Sequence, residues 1–113
     1  MELQSYLDNT QAQLRRGTLE YCVLLAIARC EAYASDIIAL LKGNNLLVVE
    51  GTLYPILSRL REAGLVSYSW AESSEGPPRK YYALTDSGRS AVRSLTEAYR
   101  ALSDSINKLS QTI

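Results

Sequence analysis

The sequence has no histidine and only two cysteines, Cys22 and Cys30. Without an imidazole there is no Ser-His or Cys-His pair, no His-Glu-x-x-His zinc site and no histidine pH switch. Eight residues along a helix would hold the two cysteines about 12 Å apart, too far for a disulfide within that helix, so both read as buried structural thiols. Long apolar runs are missing too. Val23 to Ala28 and Leu46 to Val49 fall far short of the roughly 18 residues that cross a bilayer, so no membrane partner is expected. The N-terminus, with Glu2 and Asp8 among polar residues, lacks both the basic start and the apolar stretch of a secretory signal, which makes the cytoplasm the expected compartment. Neither sign of charge is in excess: 12 Lys and Arg balance 12 Asp and Glu, and bulk charge predicts no polyanionic partner. With no nucleophile-base pair, metal-ligand set or phosphate loop, the chain reads as a non-enzyme without metal or cofactor.

What is present is an ordinary globular composition, 47% apolar in 113 residues, enough for one domain with an extended arm. Residues 2 to 16 are polar, with Leu3, Leu7 and Leu14 as a thin helical stripe. Gly17 interrupts, and Thr18 is a natural N-cap for a helix through Arg29 whose Leu19, Cys22, Val23, Ala26 and Ile27 recur at helical spacing. A further helix fits Ser35 to Lys42, with Gly43 as its left-handed stop. From Glu50 to Ala63 the residues Leu53, Ile56, Leu57 and Leu60 form one buried stripe, and Gly64 followed by Leu65 reads as a Schellman-type end. The opposite face of that helix carries Thr52, Tyr54, Pro55, Ser58, Arg59 and Glu62, a mixture of donors, aromatic and apolar groups with little net charge.

Val66, Tyr68 and Trp70 then alternate with Ser67, Ser69 and Ala71, and Lys80, Tyr82 and Leu84 alternate with Tyr81 and Ala83 after the breaker-rich stretch Glu72 to Pro78. Two strands and an exposed hairpin tip are expected, with the aromatic face packed on the helices, because a lone hairpin is barely stable in water. Thr85 caps a last helix with Asp86 at its positive end, running to Ile113. Its apolar residues Val92, Leu95, Tyr99, Leu102, Ile106, Leu109 and Ile113 step by 3 and 4, a heptad seam. A helix of 29 residues is about 43 Å long, whereas a compact chain of this size has a radius of gyration near 13 Å, so the helix must project. The only other unburied stripe is Leu3, Leu7 and Leu14. The two together predict a homodimer in which arm and last helix exchange between subunits.

The expected fold class is therefore mainly α with a two-stranded β-hairpin: an N-terminal helical arm (1–16), a winged helix-turn-helix (17–84) and a C-terminal dimerisation helix (85–113). In such a domain the third helix reads a groove of double-stranded DNA and the wing touches backbone. Placement of charge then matters more than its sum: residues 77 to 93 hold Arg79, Lys80, Arg89 and Arg93 against Asp86 alone.

Three stretches carry a resemblance to a known family: residues Leu14 to Glu20 (LRRGTLE), Glu50 to Leu60 (EGTLYPILSRL) and Gly76 to Thr85 (GPPRKYYALT). With these the chain resembles the PadR family of bacterial transcriptional regulators, in particular its short members with one winged helix and one C-terminal helix. The resemblance implies a dimeric repressor on an inverted-repeat operator. Tyr33, Thr52, Tyr54, Pro55, Ser58 and Arg59 would then meet DNA from the helix-turn-helix, and Arg79 and Lys80 from the wing. Some members bind planar or phenolic effectors, so the resemblance also implies a small aromatic effector near Tyr99; Trp70 is the weaker candidate, the packing of the wing accounting for it. Three positions depart from the family wording. Val49 stands where a Ser or Thr cap is usual, at a cost of about 1 kcal/mol; Tyr33-Ala34-Ser35 replaces Tyr-Gly-Tyr; and Ala83 follows the paired tyrosines where a basic residue is common. Net neutrality favours the rival reading, a winged helix used as a protein-protein adaptor.

Overall fold

The computed structural model describes residues 2–29, 31–73 and 76–111. Among them the chain forms α1 (Leu3–Arg29), β1 (Ala32–Tyr33), α2 (Ala34–Gly43), α3 (Glu50–Glu62), β2 (Val66–Ser73), β3 (Gly76–Leu84) and α4 (Asp86–Ser110). Cys30 and Ile113 lie outside the described residues.

The first helix differs from its sequence pattern. Gly17 does not break it, and Thr18 is not an N-cap: α1 runs unbroken for 27 residues. The Thr18 hydroxyl instead donates back to the carbonyls of Leu14 and Arg15, at 3.2 and 3.3 Å. A glycine inside a helix costs only about 1 kcal/mol relative to alanine, less than the hydrogen bonds lost by starting a new helix there. No atom lies within 4 Å of where a Gly17 Cβ would stand. Gly17→Ala is therefore expected to stabilise the protein by about 1 kcal/mol, roughly 4 °C in Tm by thermal melting. A lower Tm would show that the chain needs a break at this point after all.

The core lies where α1, α2, α3 and the base of the sheet meet, with Val23, Leu24, Ile37, Leu53 and Leu57 its most deeply buried large side chains. The α3 stripe read from sequence is the buried one: Leu53, Ile56, Leu57 and Leu60 all face inward. Its end is the expected Schellman geometry. Gly64 takes φ 77°, Leu65 N–H reaches Leu60 O at 2.9 Å, and Gly64 N–H reaches Arg61 O at 2.9 Å. The end of α2 has the same geometry, but two residues later than expected. Gly43 stays helical and Asn45 takes the left-handed conformation, φ 65°, with Leu46 N–H on Leu41 O. Asparagine tolerates that region through its short polar side chain. At the start of α3, Val49 occupies the cap position with no side-chain bond, as its apolar side chain dictates.

The sheet has a strand that the sequence pattern does not reveal. β1 pairs antiparallel with Tyr81 and Tyr82 of β3, giving the order β1-β3-β2. The hairpin strands also reach further toward the tip than expected, taking in Glu72, Pro77 and Pro78, with an irregularity between Ala71 and Ser73. Proline is excluded from strands hydrogen-bonded on both sides. Here β1 covers only Tyr81 and Tyr82, so the proline end of β3 has one neighbour, β2. The inward face joins Val66, Tyr68 and Tyr82, and Tyr82 is buried. Trp70 departs from expectation. It lies beyond the reach of the core and stays 63% exposed, so packing of the wing does not account for it.

Thr85 caps α4 as its sequence predicts, its hydroxyl accepting Gly88 N–H at 3.0 Å while donating to Gly64 O at 2.6 Å. Near its start α4 packs on α1, where the Tyr21 and Thr96 hydroxyls meet at 2.7 Å and the Tyr21 and Tyr99 rings lie 6.2 Å apart. Beyond that it projects, and the Cα radius of gyration is 16.6 Å. Leu95, Tyr99, Leu102, Ile106 and Leu109 are exposed along it, as are Leu3, Leu7 and Leu14 on α1. Among the described residues of the seam, only Val92 packs against this chain's own core.

Candidate functional site

The outer surface of α3 is set by its buried stripe: with Leu53, Ile56, Leu57 and Leu60 turned inward, helical periodicity puts Gly51, Pro55, Ser58 and Glu62 outermost. Thr52 and Arg59 flank that line toward α1, and Tyr54 and Arg61 flank it toward the wing. All of these side chains are exposed.

On the wing side, a cleft of about 380 Å³ separates α3 from β3, with Ser35, Glu50, Tyr54, Trp70, Arg79 and Lys80 among its lining residues. Arg79 is held in place rather than loose. Its guanidinium lies 4.1 Å from the centre of the Tyr33 ring, and Nη2 donates to Ser35 Oγ at 2.6 Å. Tyr33 in turn meets Tyr81 edge-on at 4.9 Å. Its backbone N–H is accepted by Asp36 at 3.0 Å, which fixes the first turn of α2. Lys80 Nζ lies 4.5 Å from the Tyr68 ring centre and 5.6 Å from that of Trp70, and the Arg61 guanidinium lies 4.8 Å from the Tyr68 ring centre. Burial holds the Tyr82 phenol above its ordinary value, with Tyr54 and Tyr68 adding to the effect and Arg61 opposing it. Tyr82 thus contributes packing to this cleft, not charge.

The basic cluster read from residues 77 to 93 divides in space. Arg79 and Lys80 belong to the wing. Arg89 pairs with Asp86 at 2.5 Å and reaches Leu84 O, and Arg93 reaches Ser90, both on α4. Five residues of strand, about 16 Å, separate Arg79 from the carbonyl that Arg89 touches. The cationic edge beside α3 consists of Arg61, Arg79 and Lys80, with Ser35 as anchor. Nothing in the local pattern singled out Arg61 or Ser35, because their partners come from other elements.

The other flank of α3 faces α1 across a notch of about 280 Å³ that includes Arg16, Gly17, Glu20, Thr52 and Arg59. Arg59 Nε donates to Glu20 Oε1 at 2.7 Å. Of the expected contact residues, then, Tyr33, Tyr54, Arg79 and Lys80 gather on the wing side. Thr52 and Arg59 gather on the α1 side, and Pro55 and Ser58 lie between.

A helix-helix-helix-wing core whose third helix presents an exposed face between two clefts matches a family model. The model described as the transcriptional regulator PadR-like family matches residues 23–94. The chain belongs to this family. Among solved structures, a PadR-like transcription factor from Bacteroides fragilis is 50% identical, covers 89% of this chain and 98% of its own, and superposes with a TM-score of 0.76. A PadR family regulator from Eggerthella lenta is 32% identical over 97% of this chain and 96% of its own, with a TM-score of 0.86. Bacillus subtilis PadR in complex with operator DNA shares the fold at 24% identity and a TM-score of 0.64, covering 70% of this chain and 47% of its own. As a PadR-like transcriptional regulator, the protein belongs to a family that is not enzymatic.

Of the remaining candidates, Trp70 lines the wing-side cleft and Tyr99 and Cys22 lie apart from it. Tyr99 neighbours Tyr21 on the α1–α4 contact, and Trp70 meets Tyr68 edge-on at 5.8 Å on the wing, so the two expected effector contacts sit on different elements. Cys22 is half-buried rather than buried, beside Leu25, Leu40 and Leu46. Burial raises its thiol pKa, with the Thr18 hydroxyl acting the other way, which leaves it protonated and poorly reactive near neutral pH. Among the described residues no helix is long and apolar enough to cross a membrane, and no group of three metal-ligating side chains occurs.

Proposed function

We propose that this PadR-like regulator is a cytoplasmic homodimeric repressor. In this reading α3 of each subunit enters one of two successive major grooves of an inverted-repeat operator, about 34–36 Å apart. The wing grips the flanking backbone. The observation that carries the reading is the exposed face of α3, flanked on the wing side by Arg61, Arg79 and Lys80, each held against an aromatic ring. Residues 17–84 act as the DNA-binding unit, with 1–16 and 85–113 as the dimerising arm and helix. That the B. subtilis homologue was crystallised with operator DNA supports the choice of ligand.

In this arrangement Pro55 and Thr52 supply surface for a thymine methyl. Arg59 supplies donors for guanine, and Tyr33, Tyr54, Ser58, Arg79 and Lys80 supply phosphate contacts. A small aromatic effector acts by seating at Tyr99 in the dimer seam and favouring another spacing of the two reading heads. Trp70, exposed beside Lys80, is the second contact considered for it. The chain's zero net charge favours a rival, a protein-protein adaptor.

Titrating labelled duplex from the upstream region at several salt concentrations separates the two. The regulator gives a steep negative salt slope and a sequence preference, and an adaptor gives neither. Arg79→Ala is expected to weaken binding to all duplexes about tenfold and to reduce the salt slope by about 1. An unchanged slope would remove the wing from the interface.

A further inference from the structure

The pair Arg59–Glu20 joins the reading helix to α1 across 39 residues of sequence, Nε to Oε1 at 2.7 Å. Its side chains are 59% and 47% exposed, and exposed ion pairs contribute little to folding, so stability does not explain it. Its geometry has another consequence. An arginine side chain has one donor at Nε and a fork of donors at Nη1 and Nη2. Glu20 holds the inner edge, and among the described residues the guanidinium has no other hydrogen-bond partner. The outer fork remains available for the O6 and N7 acceptors of a guanine, the pairing that such a fork fits. Next to the pair lies the open notch beside Gly17, which leaves room for a groove edge to approach.

We infer that Glu20 is a positioning residue for sequence recognition: it fixes the plane of the Arg59 guanidinium before DNA arrives, so that Arg59 reads one base pair per half-site. An unrestrained arginine would lose its rotamer freedom on binding and would as readily take a phosphate. One already held loses less, and favours the contact whose geometry it matches. The carboxylate also cancels the charge that would draw Arg59 to the backbone at every sequence. Glu20 thus sharpens specificity by improving the right contact and weakening the generic one. This inference rests on α3 being the reading helix.

The test compares wild-type, Glu20→Gln, Glu20→Ala and Arg59→Ala dimers. Each is selected against a random duplex library, then titrated on the wild-type consensus and on a scrambled duplex. In Glu20→Ala the preference is expected to blur at one base pair per half-site, the same one blurred by Arg59→Ala, with about a tenfold loss of discrimination there. Scrambled duplex should bind more tightly, with a salt slope steeper by about 1 as Arg59 joins a phosphate. Glu20→Gln retains an oxygen acceptor for Nε and is expected to keep the base preference within about threefold while sharing the tighter scrambled binding. On the Arg59→Ala background, Glu20→Ala should add nothing to the loss of preference. Blurring at every position alike, or an unchanged consensus in Glu20→Ala, overturns the inference while leaving the DNA-binding reading intact. Absence of any consensus for the wild-type protein would instead defeat the reading beneath it.

Discussion

Replacing both Leu102 and Ile106 by aspartate is expected to leave a folded monomer of 12.5 kDa that has lost most of its affinity for an inverted repeat. Leu95, Tyr99, Leu102, Ile106 and Leu109 stand exposed on α4 at heptad spacing, with Leu102 60% and Leu109 73% accessible. Burying a leucine or isoleucine side chain fully is worth about 1.5–3 kcal/mol, and a two-fold seam buries each position twice. An aspartate at the same place must leave water against the partner's apolar stripe with no counter-charge, which costs several kcal/mol per seam position. The substitutions spare the fold. Neither residue belongs to the core, and α4 stays anchored near its start by Tyr21 against Thr96 and by the Thr85 cap. Circular dichroism should therefore change little, while sedimentation velocity shows half the wild-type mass. Loss of the second reading head removes the effective concentration that the first supplies, so affinity for the paired half-sites should fall by 10²–10⁴, roughly the usual gain from bivalency. Binding to a single half-site should be nearly unchanged. A wild-type protein that sediments as a monomer at micromolar concentration would defeat the seam argument before any substitution is made.

Features that depend on a few adjacent residues were legible in the sequence. The stripe of α3, the Gly64–Leu65 stop, the Thr85 cap and the apolar spacing along α4 from Leu95 to Leu109 each rest on spacing and local backbone preference, and each has the local geometry read for it. Where a local signal met a competing local energy, it failed. Gly17 and Thr18 resemble a helix boundary, but a continuous α1 retains its backbone bonds, and the threonine hydroxyl finds acceptors one turn back. Asn45 takes the left-handed position two residues beyond the expected Gly43. Non-local pairings had no signal at all. β1 is two residues long and exists only because Tyr81 and Tyr82 lie beside it. Arg79 meets Ser35 across 44 residues and Arg59 meets Glu20 across 39. The candidate site was legible to the same extent. The types and helix face of Thr52, Tyr54, Pro55, Ser58 and Arg59 follow from periodicity, whereas the division of α3 into a wing flank and an α1 flank required the tertiary structure.

Gly88→Ala should be among the most damaging single substitutions in the chain, costing about 3 kcal/mol or more and lowering Tm by over 10 °C. A Cβ there would stand 2.0 Å from Leu65 O and 3.0 Å from Leu65 C, with Leu84 Cδ2 at 3.3 Å. The obstacle is backbone, so no rotamer change relieves it. Nor can the Leu65 carbonyl swing aside at little cost. It accepts Thr85 N–H at 3.1 Å, and its own residue's N–H closes the Schellman end of α3 on Leu60. The Thr85 hydroxyl ties the same junction together, to Gly64 O on one side and Gly88 N–H on the other. The base of α4 must then retreat from the end of α3 by roughly 1 Å to restore ordinary contact. That shift bears on function as well as stability, because in the proposed dimer α3 carries the reading face and α4 the seam. In molecules that remain folded, the two reading heads would sit at an altered separation. Thermal melting together with the ratio of operator to scrambled-duplex affinity checks both consequences: Tm should drop, and the ratio should fall while scrambled binding persists. Gly51→Ala is the stability control, since nothing lies within 4 Å of its added Cβ and its Tm should not fall. A Gly88→Ala protein that melts like the wild type would mean that α4 leaves the α3 end by a gap wide enough for a Cβ beside the Leu65 carbonyl.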